Sequence, residues 1–518
     1  MMSSESMASA VEVSRGASYL TLQTVVTSVA QVVAFAILAR IITPSEVGVL
    51  AIIALITGLS QAFDGLAFQQ ATMKYIGEWT GSGEDFAAGV FYQALRVSLI
   101  ISVPFAGFIF LESGFLAQAL LGTVAQARLF RVLAVDALAY GGVLPVANGA
   151  VLGAKRFKEA AAIGTVGQVL RQCLIILLIL FLKDFIGLVY AWVLSDFAMF
   201  AAFGLYASRV IGISKMHFQL RKLMSFSWPL SVGNLISFAY NWFDRAILIA
   251  LVPLASLGVY NAALYAYGAV TGLSGALSSA LLPVYSNIGS GGGLEGCRRA
   301  TWLTSRYVSL VAVPLGFGIL ATAKPALTLF VGEAYAGGVV PLMVLSLAFV
   351  LTAFGLALSP MLTALAKTRE VMWITIFSVL LGLVSAYILL PFLGIVGASV
   401  ARGVATVASL GLAIFVLKRM HAMSVDVEMA WKSLVAGAVM AGVLILVQMF
   451  IYSRILLPMY ALLGVIVYLL LLRILNAVRK HDIDLMERYL GPRLAVIARA
   501  LGRILLTGGT APKTDSGT

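Results

Sequence analysis

Among the arginines within long apolar stretches of the chain, where a charged side chain is unusual, three are candidates for binding: Arg171, Arg245 and Arg402. In a lipid-embedded helix such a charge costs at least about 2.5–3.5 kcal/mol, so each arginine needs a partner or a purpose. A guanidinium presents a planar fork of donors that matches phosphate or carboxylate oxygens. The arginines therefore predict a site for an anionic ligand.

Carboxylates also occur within or near the ends of these stretches, at Asp64, Asp136, Asp196 and Asp244. Asp244 precedes Arg245 directly, so we expect the two charges to compensate each other in part. The other three carboxylates would suit a transporter that couples to a cation, and they keep that class of function open.

Polar side chains repeat along one face of the predicted helix that contains Arg245. They stand at offsets of 4, 7, 14 and 18 residues from the first, which places them on one side of a helix. In hydrocarbon, unpaired polar groups are costly, so the stripe predicts a protein-facing or wet surface. Hydrogen bonds between helices, worth about 0.6 kcal/mol each, are the alternative. The polar residues are Ser227, Ser231, Asn234, Asn241 and Arg245, with Gln31, Gln61 and Asp64 in the corresponding helices of the first half.

The composition identifies the solvent around these helices as lipid. Of 518 residues, 61% are hydrophobic and only 11% are charged, and the mean hydropathy is +1.01. Soluble domains carry about 25% charged residues, so a soluble multidomain protein is excluded. The net charge of +13 predicts no nucleic-acid partner, because the basic residues lie mostly between apolar segments, where they meet lipid headgroups.

The chain is predicted to be an all-α polytopic membrane protein with about fourteen spans. Each span has about 20 apolar residues, enough to cross about 30 Å of hydrocarbon. One set of alternate loops holds 16 Lys and Arg residues and the other holds 6, which predicts both termini in the cytoplasm and a location in the cytoplasmic (inner) membrane. The predicted spans are 17–41, 47–69, 88–111, 127–147, 159–182, 185–207, 223–250, 256–283, 303–323, 337–362, 371–391, 394–417, 430–451 and 456–477.

Two halves of the chain match at a constant spacing. The segment around Gly48 aligns with that around Gly258, and the segment around Gly187 with that around Gly397, each at an offset of 210 (258 − 48 and 397 − 187). An even number of spans in each copy makes this a parallel repeat, related by a pseudo-twofold axis along the membrane normal. Such a pair of lobes predicts a cavity near the bilayer midplane and transport by alternating access. The predicted regions are six-helix lobes at 1–218 and 219–425, an extra helix pair at 426–480 and a basic amphipathic cytoplasmic tail at 481–518.

Enzyme chemistry has no support in the sequence. Cys173 and Cys297 form no metal or disulfide pattern, and the glycine run 289–293 is not followed by the Gly-Lys-Ser/Thr of a phosphate-binding loop. Catalytic carboxylates with a supporting loop are also missing. We predict a protein that is not an enzyme, with no metal and no cofactor.

Two stretches resemble polysaccharide-biosynthesis flippases. Residues 38–76 begin Leu-Ala-Arg and continue through Thr43-Pro44 to Asp64-Gly65, which is similar to the amino-terminal signature of that family. Val47 stands where the family usually has an aromatic residue, and one residue between Asp64 and Gly65 is missing. Residues 226–268 are similar to the family's middle stretch, with its Asp-Arg pair and its Gly-hydrophobe-Tyr motif.

The resemblance implies the fold of the multidrug/oligosaccharidyl-lipid/polysaccharide exporter superfamily and a specific cargo. That cargo is an oligosaccharide linked to a polyprenyl diphosphate, moved from the cytoplasmic to the outer leaflet for cell-surface polysaccharide. Membrane lipids, a polysaccharide polymerase and glycosyltransferases are the implied partners. On this hypothesis Arg171, Arg245 or Arg402 neutralises the diphosphate, while the polar residues of the stripes meet the sugar: Gln31, Gln61, Asp64, Asn234 and Asn241.

Two other functions stay open. A cation-coupled multidrug exporter would share the fold and would use deep carboxylates such as Asp64, Asp136 and Asp196. A membrane glycosyltransferase would need an acidic motif in a sizeable external loop, and the predicted external loops are short.

Overall fold

The computed structural model describes residues 4–64, 67–78, 84–214, 218–269, 271–272, 293–355, 358–420, 424–478 and 502. Within these ranges the regular structure is helical, without a strand. The longer elements are α1 (Ser4–Ile41), α2 (Pro44–Asp64), α3 (Phe68–Gly77), α4 (Glu84–Leu111), α5 (Ser113–Leu121), α6 (Ala127–Asp136), α7 (Leu144–Gly153), α8 (Phe157–Leu182), α9 (Ile186–Ile211), α10 (Leu220–Leu251), α11 (254–269), α12 (Gly293–Ala321), α13 (Ala323–Val331), α14 (Val339–Thr352), α15 (Leu358–Ala364), α16 (Thr368–Arg419), α17 (Val427–Phe450) and α18 (Leu457–Ile474). Shorter helical turns complete the described part: Val124–Gln126, Glu333–Gly338, Ala353–Gly355 and Arg454–Leu456 are 3₁₀-helical, and Ala137–Val143 is π-helical.

Eleven segments in the described ranges are long and apolar enough to cross a membrane, so the prediction of a multi-pass, all-α membrane protein is confirmed. The count of fourteen is not. Two predicted spans, 371–391 and 394–417, are counted together because both lie in α16, although its break at Gly394 divides α16 into two helical parts. The polar stripe lowers the hydropathy of α10, which is therefore not among the eleven, and the predicted span 256–283 extends beyond the described residues.

Helix α16 is interrupted where its sequence contains Pro391 and Gly394. Gly394 has φ 53° and ψ −130°, a conformation outside the helical region. Residues with a Cβ rarely adopt it, so glycine is the residue suited to this position. The interruption separates the two apolar runs that the sequence predicted as two spans.

The chain forms two compact units. The first contains Met1–Gly272, Phe330–Gly338 and Thr375–Arg402, and the second contains Leu273–Leu329, Val339–Ile374 and Gly403–Thr518. These units are defined by spatial contacts, whereas the predicted lobes 1–218 and 219–425 are defined by the sequence repeat. The lobe boundaries stay a prediction, and the predicted tail 481–518 lies outside the described residues apart from position 502.

In the first unit, α2 and α11 begin with a reciprocal close contact. A methyl group added at Gly48 would overlap the carbonyl oxygen of Leu254, and one added at Gly258 would overlap that of Pro44. The repeat offset relates the two contacts, because 258 − 48 and 254 − 44 both equal 210. A pseudo-twofold axis predicts such an exchange of equivalent positions, so the contact supports the repeat.

Gly187 and Gly397 also have matching surroundings. A Cβ at Gly187 would lie 2.8 Å from the carbonyl oxygen of Leu178, and one at Gly397 would lie 2.6 Å from that of Leu389. Each glycine thus lets one helical segment return closely onto the end of the preceding one. The same local packing occurs in both copies of the repeat.

The second unit joins α12 to the helix pair α17–α18 through a buried ion pair. Nη1 of Arg306 lies 2.5 Å from Oδ2 of Asp426, and Nη2 of Arg306 donates to the carbonyl oxygen of Ala477 at 3.1 Å. Asp426 also caps the first turn of α17 by accepting from the N–H of Met429. One arginine therefore fixes the start of α17 and the segment that follows α18.

Candidate substrate-binding site

The polar centre of the first unit is the carboxylate of Asp244, on α10, which is fully buried. Arg402, on α16, binds it with two donors: Nε lies 2.5 Å from Oδ2, and Nη2 lies 2.6 Å from Oδ1. The hydroxyl of Tyr260, on α11, also donates to Oδ2. This bidentate pair, with a third donor, neutralises and satisfies a charge that would otherwise be costly to bury.

The two short motifs of the middle stretch meet at this carboxylate. Asp244 belongs to the Asp-Arg pair, and Tyr260 ends the Gly-hydrophobe-Tyr motif 16 residues later. The sequence predicted that Asp244 would be compensated by Arg245. In the structure its ion-pair partner is Arg402, 158 residues away, and Arg245 contributes its main-chain N–H, which donates to Oδ1 at 2.8 Å.

Arg245 has a different environment from Arg402. Its Nη2 donates to the carbonyl oxygen of Asn241 at 2.8 Å, and its guanidinium lies 3.6 Å from the ring centroid of Trp242. Its Nε is buried and has no hydrogen-bond partner among the described residues. No carboxylate of the described residues forms an ion pair with it. Asp244, Arg245 and Arg402 together therefore carry one positive charge in excess, and a cation–π contact holds that charge over an indole ring.

Asn241 supplies the backbone oxygen that joins the two arginines. Its carbonyl accepts from Nη2 of Arg402 and from Nη2 of Arg245, both at 2.8 Å. Its side chain is exposed and donates to the carbonyl of Ser237 at 2.9 Å, within the same helix. Asn234 is half-buried two turns earlier on α10. The amides of the predicted stripe thus lie on one helix beside the excess positive charge.

Gln31, on α1, approaches the same region through Tyr265 of α11. The Tyr265 side chain interacts with that of Gln31, and the charge of Arg245 acts on its hydroxyl. The Tyr265 ring stacks on Phe35 with centroids 3.9 Å apart. The structure therefore brings Gln31 and Arg245 together around one aromatic residue.

Arg171 belongs to a second cluster. On α8, its Nη1 lies 3.1 Å from Oδ1 of Asp196, and its guanidinium lies 4.6 Å from the Trp192 ring and 5.3 Å from the Tyr140 ring. The Tyr140 side chain in turn interacts with that of Gln61. This cluster differs from the first because its arginine interacts with two carboxylates, those of Asp196 and Asp136.

The remaining predicted residue is Asp64, the last residue of α2. Its side chain lies outside the described part of the structure. Among the described residues there is no group of three or more His, Cys, Asp or Glu side chains that could hold a metal ion.

Five aromatic residues of these clusters were not among the predicted site residues: Tyr140, Trp192, Trp242, Tyr260 and Tyr265. Tyr260 could have been found, because it ends a motif that carries the family resemblance. The other four occur in apolar helices, where an aromatic side chain is normally part of the core. Their sequence context contains no signal that separates the two roles.

Comparison with known families decides the membership of the chain. A family model described as "Polysaccharide biosynthesis protein" matches residues 37–341, more than half of the sequence. The chain belongs to this family. The predicted resemblance is thereby confirmed. A comparison with curated protein sequences gives no match.

Solved structures with the same fold include a lipid flippase and MATE transporters. The structure is similar to a lipid II flippase, MurJ, in an inward closed conformation, with a TM-score of 0.73 and 14% sequence identity over 89% of this chain and 98% of that one. It is also similar to an inward-facing multidrug resistance MATE family transporter of the MOP superfamily, with a TM-score of 0.59 and 18% identity over 78% of this chain and 94% of that one. A eukaryotic MATE transporter gives a TM-score of 0.58 and 15% identity over 82% of this chain and 98% of that one. The predicted fold is confirmed, and the similar proteins are flippases and transporters, in agreement with the prediction of a transporter rather than an enzyme.

Proposed function

We propose that this protein moves an oligosaccharide linked to a polyprenyl diphosphate from the cytoplasmic to the outer leaflet, by alternating access, for cell-surface polysaccharide. The observation that carries the proposal is the excess positive charge of Arg245, beside Trp242 and a stripe of amides, in a member of a polysaccharide biosynthesis family. The similarity to a lipid II flippase supports a lipid-linked cargo.

The physical problem of such a cargo matches the site. A sugar diphosphate is strongly hydrated, so it cannot enter hydrocarbon without groups that replace its water. Arginine and amide side chains supply donors for phosphate oxygens and sugar hydroxyls. The lipid tail needs no such groups and stays in the bilayer while the head group passes.

The arginines have unequal roles in this proposal. Arg245 binds the diphosphate, because its charge is not balanced by a carboxylate of the described residues. Arg402 and Arg171 are paired with Asp244 and Asp196, so they tune the electrostatic field of the site and orient its side chains. Asn234, Asn241, Gln31 and Gln61 are assigned to sugar hydroxyls, and Asp64 stays a candidate for the same role. Glycosyltransferases that build the glycan and a polymerase that consumes it are the proposed partners.

A cation-coupled multidrug exporter is the second candidate. It is favoured by the buried carboxylate of Asp136, which is fully inaccessible, and the MATE transporters share the fold. A drug-resistance assay in cells that express the chain separates the two: increased resistance to unrelated cationic drugs supports the exporter.

The test of the proposal is translocation in vesicles. The purified chain is reconstituted with a fluorescent oligosaccharide on a polyprenyl diphosphate, and the fraction that becomes accessible to an external quencher is followed. We expect Arg245→Ala to slow translocation at least about tenfold, equivalent to about 1.4 kcal/mol, and Arg245→Lys to retain part of the rate because it keeps the charge.

The control is Arg209→Ala, which removes an exposed arginine at the end of α9. Wild-type vesicles that translocate no faster than protein-free vesicles contradict the proposed function. Equal rates for Arg245→Ala and Arg209→Ala contradict the role of Arg245.

A further inference from the structure

Asp136 has a buried carboxyl group that accepts no hydrogen bond within the described part of the chain. It is the last residue of α6, its exposed fraction is 0%, and neither of its oxygens accepts a hydrogen bond from any described residue. An acceptor buried in this way is rare in native proteins and requires an explanation.

The neighbour of Asp136 is a second carboxyl group. Asp196, on α9, has an exposed fraction of 0% and lies close enough to interact directly with Asp136. Oδ1 of Asp196 is paired with Arg171, but Oδ2 is buried and also has no partner among the described residues. The indole N–H of Trp192, 8% exposed, is unpaired there as well.

The described charged groups that act on the Asp136 carboxyl are Asp196 and Arg171, and the ionisable Tyr140 follows one turn later. With both carboxyls ionised, the group has one negative charge in excess. Ionised carboxylates offer only acceptors, so two of them cannot hydrogen-bond to each other. One proton removes the excess charge and also supplies the missing donor.

The Asp244 cluster shows the contrast. There a single carboxylate has one paired guanidinium and a tyrosine donor, and its oxygens are satisfied. The Asp136–Asp196 pair has one guanidinium for two carboxyls. The shortage of positive charge and of hydrogen-bond donors is therefore specific to the Asp136–Asp196 pair, because the buried carboxylate of Asp244 has both.

The backbone beside Asp136 is irregular. Ala137–Val143 forms a π-helical segment between α6 and α7, and the carbonyl of Gly142 within it accepts from the hydroxyl of Ser98 at 2.7 Å. Pro145 stands in the first turn of α7. π-helical turns are rare and occur frequently at functional sites. A change of charge at Asp136 would act directly on the point where the chain departs from α-helical geometry between α6 and α7.

We propose that the Asp136–Asp196 pair binds one exchangeable proton, and that release and uptake of this proton drive a rearrangement of the π-helical segment during transport. The proton comes from water and forms an O–H bond on one carboxylate. Arg171 makes a metal cation a poor occupant, because its charge repels a second cation held at the same oxygens. The coupling to transport, though not the proton site itself, rests on the proposed function.

The site is tested without any transport assay by infrared difference spectroscopy of the purified full chain. We expect one buried, protonated carboxyl band that disappears when the pH is raised, is insensitive to replacing potassium with sodium, and is absent in Asp136→Asn. Asp85→Asn, which alters an exposed carboxyl at the start of α4, should leave the band unchanged. Asparagine keeps the size of Asp136 and removes its charge, so we expect this variant to fold.

No such band in the wild type, or a band of equal intensity in Asp136→Asn, overturns the proton site. A band that sodium abolishes overturns the proton in favour of a metal cation.

The coupling is tested by translocation with an imposed pH gradient. We expect the gradient to change the wild-type rate and to have no effect on Asp136→Asn. A wild-type translocation rate that is the same with and without the pH gradient overturns the proposed coupling. If the proton band is present while the wild type moves no lipid-linked glycan, the proposed function fails and the proton site stands.

Discussion

At the scale of single residues, Arg402 and Arg245 contact the same backbone carbonyl but have different electrostatic environments. Both donate to the oxygen of Asn241, but only Arg402 also forms a bidentate pair with a carboxylate. The difference supports the proposed roles, in which Arg402 stabilises the structure and Arg245 binds the ligand.

The structural role of Arg402 predicts a large effect on stability. Removing one partner of a buried ion pair leaves the other charge uncompensated, at a cost of about 3–5 kcal/mol. We expect Asp244→Asn and Arg402→Gln each to lower the free energy of unfolding by about this amount, and the double variant to lose less than the sum. Thermal unfolding of the purified chain in detergent measures the effect.

The control for these variants is an exposed ion pair on α17, in which Nζ of Lys432 lies 2.6 Å from Oε1 of Glu428. Glu428→Gln should cost less than about 1 kcal/mol, because exposed ion pairs contribute little. Additive losses for Asp244→Asn and Arg402→Gln would show that the two residues do not act as a pair.

The sequence predicted which residues are polar within apolar helices, and it could not predict how they pair. Asp244 and Arg402 are 158 residues apart, so their contact depends on how α16 packs against α10. The adjacent Arg245 was the obvious partner by sequence. Its side chain instead reaches back one helical turn to the carbonyl of Asn241.

At the scale of helices, the reciprocal contact of α2 with α11 depends on two glycines that have no room for a side chain. A methyl group at Gly258 would overlap the backbone of Pro44, and a carbonyl oxygen cannot move as a flexible side chain does. We expect Gly258→Ala to lower the free energy of unfolding by more than the roughly 1–3 kcal/mol that is typical of overpacking. Gly48→Ala should have a similar effect. The measurement is size-exclusion chromatography of heated samples, which gives the fraction of each variant that stays monodisperse.

Gly268→Ala is the matched control on the same helix. A Cβ at Gly268 would meet no atom of the described residues within 4 Å, and alanine favours a helix over glycine by about 1 kcal/mol. This variant should be neutral or stabilising. Equal stability of Gly258→Ala and Gly268→Ala would show that the close contact at Gly258 does not contribute to stability.

Helix positions were largely predictable, because an apolar run long enough to span a membrane is a local property. The predicted span 223–250 corresponds to α10, Leu220–Leu251, although its polar stripe makes it less hydrophobic than the other spans. The π-helical segment 137–143 was not predicted. Its only local signals are Gly141, Gly142 and Pro145, which also occur in ordinary membrane helices.

At the scale of the whole molecule, the constant offset of 210 residues predicted a duplicated fold. The equivalent contacts of Gly48 and Gly258 support it, and the similarity to a flippase and to MATE transporters confirms the superfamily fold. The orientation of the termini and the lobe boundaries stay predictions, because the charge bias of loops and the repeat are properties of sequence that contacts within each unit do not test.

Substrate identity could be predicted only through the family resemblance. Amides and arginines within helices indicate a polar, anionic ligand, but their donors serve a diphosphate, a carboxylate or a sugar equally well. The central claim is therefore that the excess charge at Arg245 recognises a diphosphate head group.

The most direct test of this claim compares the binding of a polyprenyl diphosphate and the corresponding uncharged polyprenol to the purified chain in detergent. We predict that the diphosphate binds at least about tenfold more tightly, or about 1.4 kcal/mol, and that Arg245→Ala removes the difference while Arg209→Ala preserves it. Equal affinities of the two lipids for the wild type would contradict the account.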